Sequence, residues 1–370
     1  MSGDVLHGRG CVRVQSRLVT AGARDSEGQL VLRSHADVVA IACEPGTFSS
    51  RVSRHLQIPN GLDGAEHRAA RRLLDPFFAP ERLERLRPQL VDLARALVPE
   101  PGHPVDAVSE LGSRYAVRAQ SLWLGWPAAL EDRLLTWVDD NRAAVRSGDP
   151  ARTAETARRF DEIVHAVVAE RWGSSADVTA ELMQTRTADG RPMTEAELVS
   201  ILRNWTGGDL ATLALCVGVV AHWLATHPVE QDALVAADDG ALGAAIDEML
   251  RIDDPFVSNR RRATAAAYAG GCPVSAGDVV VLHWPSANRD PAVFGDPDAF
   301  DPVGNAAANL VYGIGPHACP GRPLATLELT VLVRELLRVG RVRLAPDRIP
   351  VREAPPAGAF RRVEIVQESR

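Results

Sequence analysis

The segment Tyr312-Gly-Ile-Gly-Pro-His-Ala-Cys-Pro-Gly-Arg-Pro-Leu-Ala-Thr-Leu-Glu328 constrains the fold more than any other stretch of the chain. Gly313 and Gly315 let the backbone turn where other residues are strained and approach a flat, bulky partner. Pro323 is a favoured residue in the first turn of a helix, so Cys319 falls just before a helix N-terminus. The free amides and dipole there favour a thiolate. One thiolate with no second sulfur nearby has the character of an axial iron ligand. His317, two residues earlier, can donate to an anionic group. The alternative is a structural cysteine on a glycine-rich turn. Under either reading the text predicts a loop and then a helix over Pro323–Leu337.

The chain around this loop reads as helical. Apolar residues recur at three- and four-residue spacing over Ala79–Leu97, Val105–Leu124, Ala128–Arg146, Ala154–Trp172, Thr194–Thr226 and Gly240–Ile252. Proline and glycine in Val98–Pro104 mark a loop between two of them. Strand-like text is confined to Gln29–Leu32 and Val38–Ile41 near the N-terminus, and to short runs within Tyr268–Leu282 and Val342–Val366. This order predicts a mainly α fold with small peripheral β-sheets, one large domain over residues 1–370, rather than a βαβ alternation. A chain of this length buries a large core without disulfides or structural metals.

Charge and cysteine usage narrow the function. There are 41 Lys+Arg against 48 Asp+Glu, a formal net charge of −7, and no lysine at all. That balance argues against a nucleic-acid partner. The five cysteines, Cys11, Cys43, Cys216, Cys272 and Cys319, form no C-x-x-C pair, so a zinc ribbon is not expected. No glycine-rich phosphate loop follows a strand. The N-terminus lacks an apolar signal core. The longest apolar run, Leu213–Ala221, is too short to span a bilayer. A cytoplasmic protein with no membrane partner is the expectation.

Gly313, Gly315, His317, Cys319, Gly321, Ala325 and Glu328 follow the pattern G-x-G-x-H-x-C-x-G-x-x-x-A-x-x-E. This resembles the haem-binding loop of the cytochrome P-450 family. Glu248-Met-Leu-Arg251 looks like the family's E-x-x-R, with Pro255, Arg261–Thr264, Ala287–Pro291 and Phe294 following in family order. Asp63–His67 with Arg71 and Arg72 resembles its haem-propionate helix. The resemblance implies haem b, buried between a distal helix and the cysteine loop. It implies Cys319 as the proximal iron ligand, and His67, Arg71, Arg261 and His317 on the propionates. Glu248 and Arg251 would lock the segment around the loop. Three departures stand out. Phe300-Asp-Pro-Val-Gly304 lacks the usual arginine, Asn309 replaces a histidine that often faces a propionate, and Tyr312 replaces a phenylalanine.

The family's distal helix carries A-G-x-[DE]-T, in which the acid and threonine deliver protons to bound oxygen. Here the text is Asn204-Trp-Thr-Gly-Gly-Asp-Leu-Ala-Thr212. Aligning the acid places Asp209 with Leu210 at the threonine position. Aligning from His227-Pro228 places Thr212 with Ala211 at the acid position. Neither register gives the adjacent pair, so Asp209 and Thr212 are both candidates. Gly207-Gly208 is costly in mid-helix and suggests a ligand close by.

The resemblance implies an oxidase that activates dioxygen to hydroxylate or oxidatively couple a small organic molecule. Electrons would come from a separate ferredoxin and ferredoxin reductase, and the arginine-only, alanine-rich composition suggests a high-GC genome, where by analogy enzymes of this family often tailor natural products. The alternative is a non-catalytic haem sensor or carrier. Leu56, Gly208, Phe256, Val257, Ser258 and Phe360 are the expected substrate-pocket residues.

Overall fold

The computed structural model describes residues 23–171, 177–353 and 358–369. Its longer helices are α1 (His35–Ala42), α2 (Gly64–Leu74), α3 (Arg87–Leu97), α4 (Ser113–Leu124), α5 (Glu131–Ser147), α6 (Pro150–Glu170), α7 (Glu195–Thr226), α8 (Asp239–Ile252) and α9 (Arg322–Val339). Four of the nine, α1, α6, α7 and α8, begin at a side-chain cap. Asp149 Oδ1 accepts from Ala151 N at 2.8 Å, which starts α6 before the expected Ala154. Trp172, the expected end of that helix, lies outside the described residues. Ala79–Leu97 opens with two short helical turns before α3.

Helix α7 is the spine. A capping box starts it: Thr194 Oγ1 accepts from Glu197 N, and the Glu197 carboxylate accepts from Thr194 N at 2.8 Å. It runs unbroken through Gly207-Gly208. Trp137 of α5 and Phe160 of α6 stack 4.2 Å apart and lie within 3.8 Å of where a Gly207 side chain would begin. The helix is long and apolar enough to cross a membrane, but 67% of its most apolar window is buried in this fold, as in a core helix.

The strands lie at the periphery. β1 (Ala23–Arg24), β2 (Leu30–Leu32), β3 (Phe48–Ser49), β5 (Ser258–Ala263) and β8 (Val279–His283) form a sheet ordered β1-β2-β8-β5-β3. β2 and β8 pair parallel; the other neighbours are antiparallel. A second sheet orders β4 (Val105–Asp106), β12 (Glu364–Glu368) and β9 (Arg341–Leu344). β6 (Ala267–Ala269) pairs with β7 (Cys272–Val274), and β10 (Val351–Arg352) with β11 (Phe360–Arg362). Val38–Ile41, expected as a strand, belongs to α1 instead. Ser34 caps that helix by accepting from Asp37 N, and this local bond outweighs the β-branched run.

Candidate active site

The cysteine loop folds as its glycines require. Gly313 and Gly315 have φ of 69° and 75°. A side chain on Gly315 would also begin 3.0 Å from Cys43 Sγ at the end of α1. Cys319 N donates to Tyr312 O at 2.9 Å, which closes the loop. The Cys319 side chain faces an internal cavity of about 450 Å³. Burial pushes its thiol up, while the amides of Gly321 and Arg322 and the Arg71 charge pull it down.

Arg261 and His317 line the same cavity. Arg261, on β5, is 7% exposed; its Nη1 donates only to Arg260 O, at 3.0 Å, and its Nε is buried with no partner. His67 stands behind His317, with ring centroids 4.1 Å apart. His317 Nε2 lies 3.3 Å from Asp63 Oδ1. Burial, then the neighbouring His67 and Arg261, lowers the His317 pKa to about 4, and burial with Arg71 lowers that of His67. Arg71 turns from the cavity to the loop. Its Nη1 donates to Pro316 O at 3.1 Å and Ala318 O at 3.0 Å, and its Nε to Asp75 at 2.5 Å. The four expected anion-binding residues are therefore close together, but only two of them line the cavity.

Trp205, Gly208, Asp209, Thr212, Leu213 and Cys216 make one stripe of α7 along the opposite wall. Asp209 and Thr212 share this face, and Ala211 lies off it. Asp209 Oδ2 is buried without a partner, and burial pushes the carboxyl up to about 7. A side chain at Gly208 would meet nothing within 4 Å, so the glycine leaves open space on the cavity side. Among the expected pocket residues, Gly208 and Phe256 line this cavity; Leu56, Val257, Ser258 and Phe360 do not. Leu56 is 45% exposed, and its carbonyl accepts from Ser200 and Arg203 on α7. Ser258 is an exposed residue of β5. Phe360 is buried against His222 at 4.4 Å and under Arg352. Phe78, Gln120 and Trp123 instead complete the wall. Their aromatic text had no visible partner until α4 and the segment after α2 met.

Glu248 and Arg251 form a buried ion pair with two 2.8 Å bonds. Arg251 also donates to the carbonyls of Asn288, Pro297 and Ala299. In place of an arginine, Asn305 Nδ2 donates to Glu248 Oε1 at 2.7 Å, and Asp301 N donates to the same oxygen at 3.1 Å. Asn309 turns away from the cavity, to Asp247 O and Val311 N. Neither substitute was visible in the sequence, because it replaces the missing group in space and not in the motif.

The chain matches the family model described as cytochrome P-450 over residues 155–362. It is 30% identical over 330 residues to erythromycin C-12 hydroxylase of Saccharopolyspora erythraea, covering 85% of this chain and 82% of that protein. It is 27% identical over 358 residues to cyclomarin C epoxidase CymV of Salinispora arenicola, covering 90% and 89%. A mutant of P-450 EryK in complex with erythromycin B superimposes with a TM-score of 0.84 at 29% identity, covering 94% of this chain and 93% of that one. The family's cofactor is haem, and the residues here fit it. The Cys319 sulfur faces the cavity from the loop, an unpartnered buried guanidinium N–H and a histidine lie beside it, and glycines admit a flat ring. With relatives of these activities, the sensor-or-carrier alternative has no support. The chain belongs to the cytochrome P-450 family and is a haem-dependent monooxygenase acting on a small molecule with dioxygen.

Proposed function

We propose that residues 1–370 act as one haem-thiolate domain that oxidises a natural-product intermediate in the cytoplasm, with electrons from a separate ferredoxin and ferredoxin reductase. The observation that carries this reading is the α7 stripe facing the cavity that Cys319 also faces. The named activities of the relatives, an erythromycin C-12 hydroxylase and a cyclomarin C epoxidase, support the substrate class. Bound haem supplies dioxygen activation, with a sulfur ligand favouring O–O cleavage. Cys319 is that ligand. Arg261 and His317 would hold the haem carboxylates, while His67 packs behind His317 and Arg71 holds the loop. Gly208 leaves room on the distal side. Asp209, near neutrality in its pKa, holds and releases a proton there, and Thr212 presents its hydroxyl on the same face. Phe256 and the aromatic wall exclude water from the substrate.

Cys319→Ser and Cys319→His are expected to lose the thiolate-type spectrum of the reduced carbon monoxide complex while the fold persists by circular dichroism. Retention of that spectrum would overturn the ligand assignment. Macrolides and cyclic peptides titrated into the ferric protein are expected to shift the Soret band saturably; a flat response across such a panel argues against this substrate class.

A further inference from the structure

A second cleft, of about 320 Å³, opens where the C-terminal half of α5 meets α7, the segment between β4 and α4, and the hairpin of β10 and β11. It shares no lining residue with the cavity that Cys319 faces. Arg142 of α5 lines this cleft, and its side chain is only 11% exposed. Its Nη1 donates to Ser113 Oγ at 3.0 Å, and that hydroxyl donates in turn to Val108 O at 3.0 Å. Arg142 Nε and Nη2 are buried and have no hydrogen-bond partner among the described residues. These two nitrogens form one edge of the guanidinium, the two-pronged fork that matches a carboxylate. The acids nearby do not fill it. Asp139 Oδ1 lies 4.0 Å from Nη1, beyond hydrogen-bond range, on a largely exposed side chain. Asp106 accepts from Val108 N and Ser109 Oγ, and Glu353 takes Arg146 at 3.3 Å. Burial lowers the Arg142 pKa, and the charges of Asp139, Asp106 and Glu353 oppose that shift. A buried cationic edge without partners is costly, and an oxyanion in the cleft relieves the cost.

We propose that this cleft is a second ligand site, for a small monocarboxylate. Its carboxylate takes the Nε and Nη2 edge of Arg142, and a short apolar body lies against Val108 and Leu215. Arg361, an exposed residue of β11 that also lines the cleft, adds a solvent-facing positive charge. Four guanidiniums and three carboxylates line the cleft, a balance that matches one negative charge better than two. Binding is non-covalent and needs neither haem nor electrons. A bound carboxylate joins α5 to the hairpin and to α7, on which Leu215 stands three residues beyond Thr212. The site therefore adjoins the helix that walls the haem cavity without opening into that cavity.

Isothermal titration of the haem-loaded protein with benzoate, with the Soret band recorded alongside, tests the site. One saturable event is expected, with the Soret band unmoved because the cleft is separate from the haem cavity. Methyl benzoate, the same body without the charge, is expected not to bind, and inorganic phosphate to bind more weakly than benzoate. Arg142→Gln is expected to weaken benzoate about tenfold or more, the loss of a charge-assisted pair. Arg142→Lys keeps the charge but not the fork and is expected to weaken it as well. Arg361→Gln changes an exposed residue and is expected to weaken it about threefold, as a solvent-facing charge does. No saturable binding, a Soret shift that tracks benzoate, tighter binding of phosphate, or full affinity in Arg142→Gln each overturns the proposal. Should Arg142→Gln fail to fold, the remaining arms still decide: an ester that binds as well as benzoate, or Arg361→Gln at parent affinity, rejects a carboxylate site.

Discussion

Pro320 follows the ligand cysteine and has no amide hydrogen to offer the sulfur. The amides that bear on Cys319 belong to Gly321 and Arg322. Each N–H···S bond draws electron density from a thiolate, and such bonds are among the protein's levers on haem potential. Pro320→Ala restores one donor and is expected to raise the ferric/ferrous potential; spectroelectrochemical titration beside the parent checks it, and a potential that stays or falls rejects it. The loop's chemistry was legible because it is contiguous: Gly313, Gly315, Cys319 and Pro323 act on one another within a few residues.

At the scale of elements, α7 shows what periodicity resolves. The register problem arose from treating the distal motif as a string of neighbours. On the helix, Gly208, Asp209 and Thr212 lie on one face regardless of which position is aligned. Gly208 is the exposed weak point of that face. Gly208→Ala removes an entropic cost of about 1 kcal/mol and adds a methyl where nothing lies within 4 Å. The variant is expected to gain stability by about that amount in chemical denaturation while binding bulky ligands more weakly in Soret titrations. A loss of stability would show that the helix bends at this site. The segment locked by Glu248 illustrates what periodicity cannot show. Asn305 reaches Glu248 from a loop, and no spacing rule connects an amide there to a helix carboxylate.

Across the whole molecule, the cavity is assembled from α4, α7, α8, α9, β5 and the cysteine loop, and α2 backs that loop from behind. His67 stacks on His317, and Arg71 holds the carbonyls of Pro316 and Ala318. Charge-assisted hydrogen bonds such as those of Arg71 contribute roughly 1.5–3 kcal/mol each. His67→Ala combined with Arg71→Ala is therefore expected to speed haem transfer to apomyoglobin while far-ultraviolet circular dichroism stays native; unchanged transfer would remove α2 from haem retention. The α-rich architecture was readable because its helices are long and strongly periodic. The ring pair of Trp137 and Phe160 has a last consequence. It covers Gly207 from α5 and α6, two helices joined through Gly148, whose φ is 63°. A glycine carries no side chain to shield its own carbonyl. The two rings stand in for that missing side chain, so truncating either one wets the backbone of the spine at Gly207.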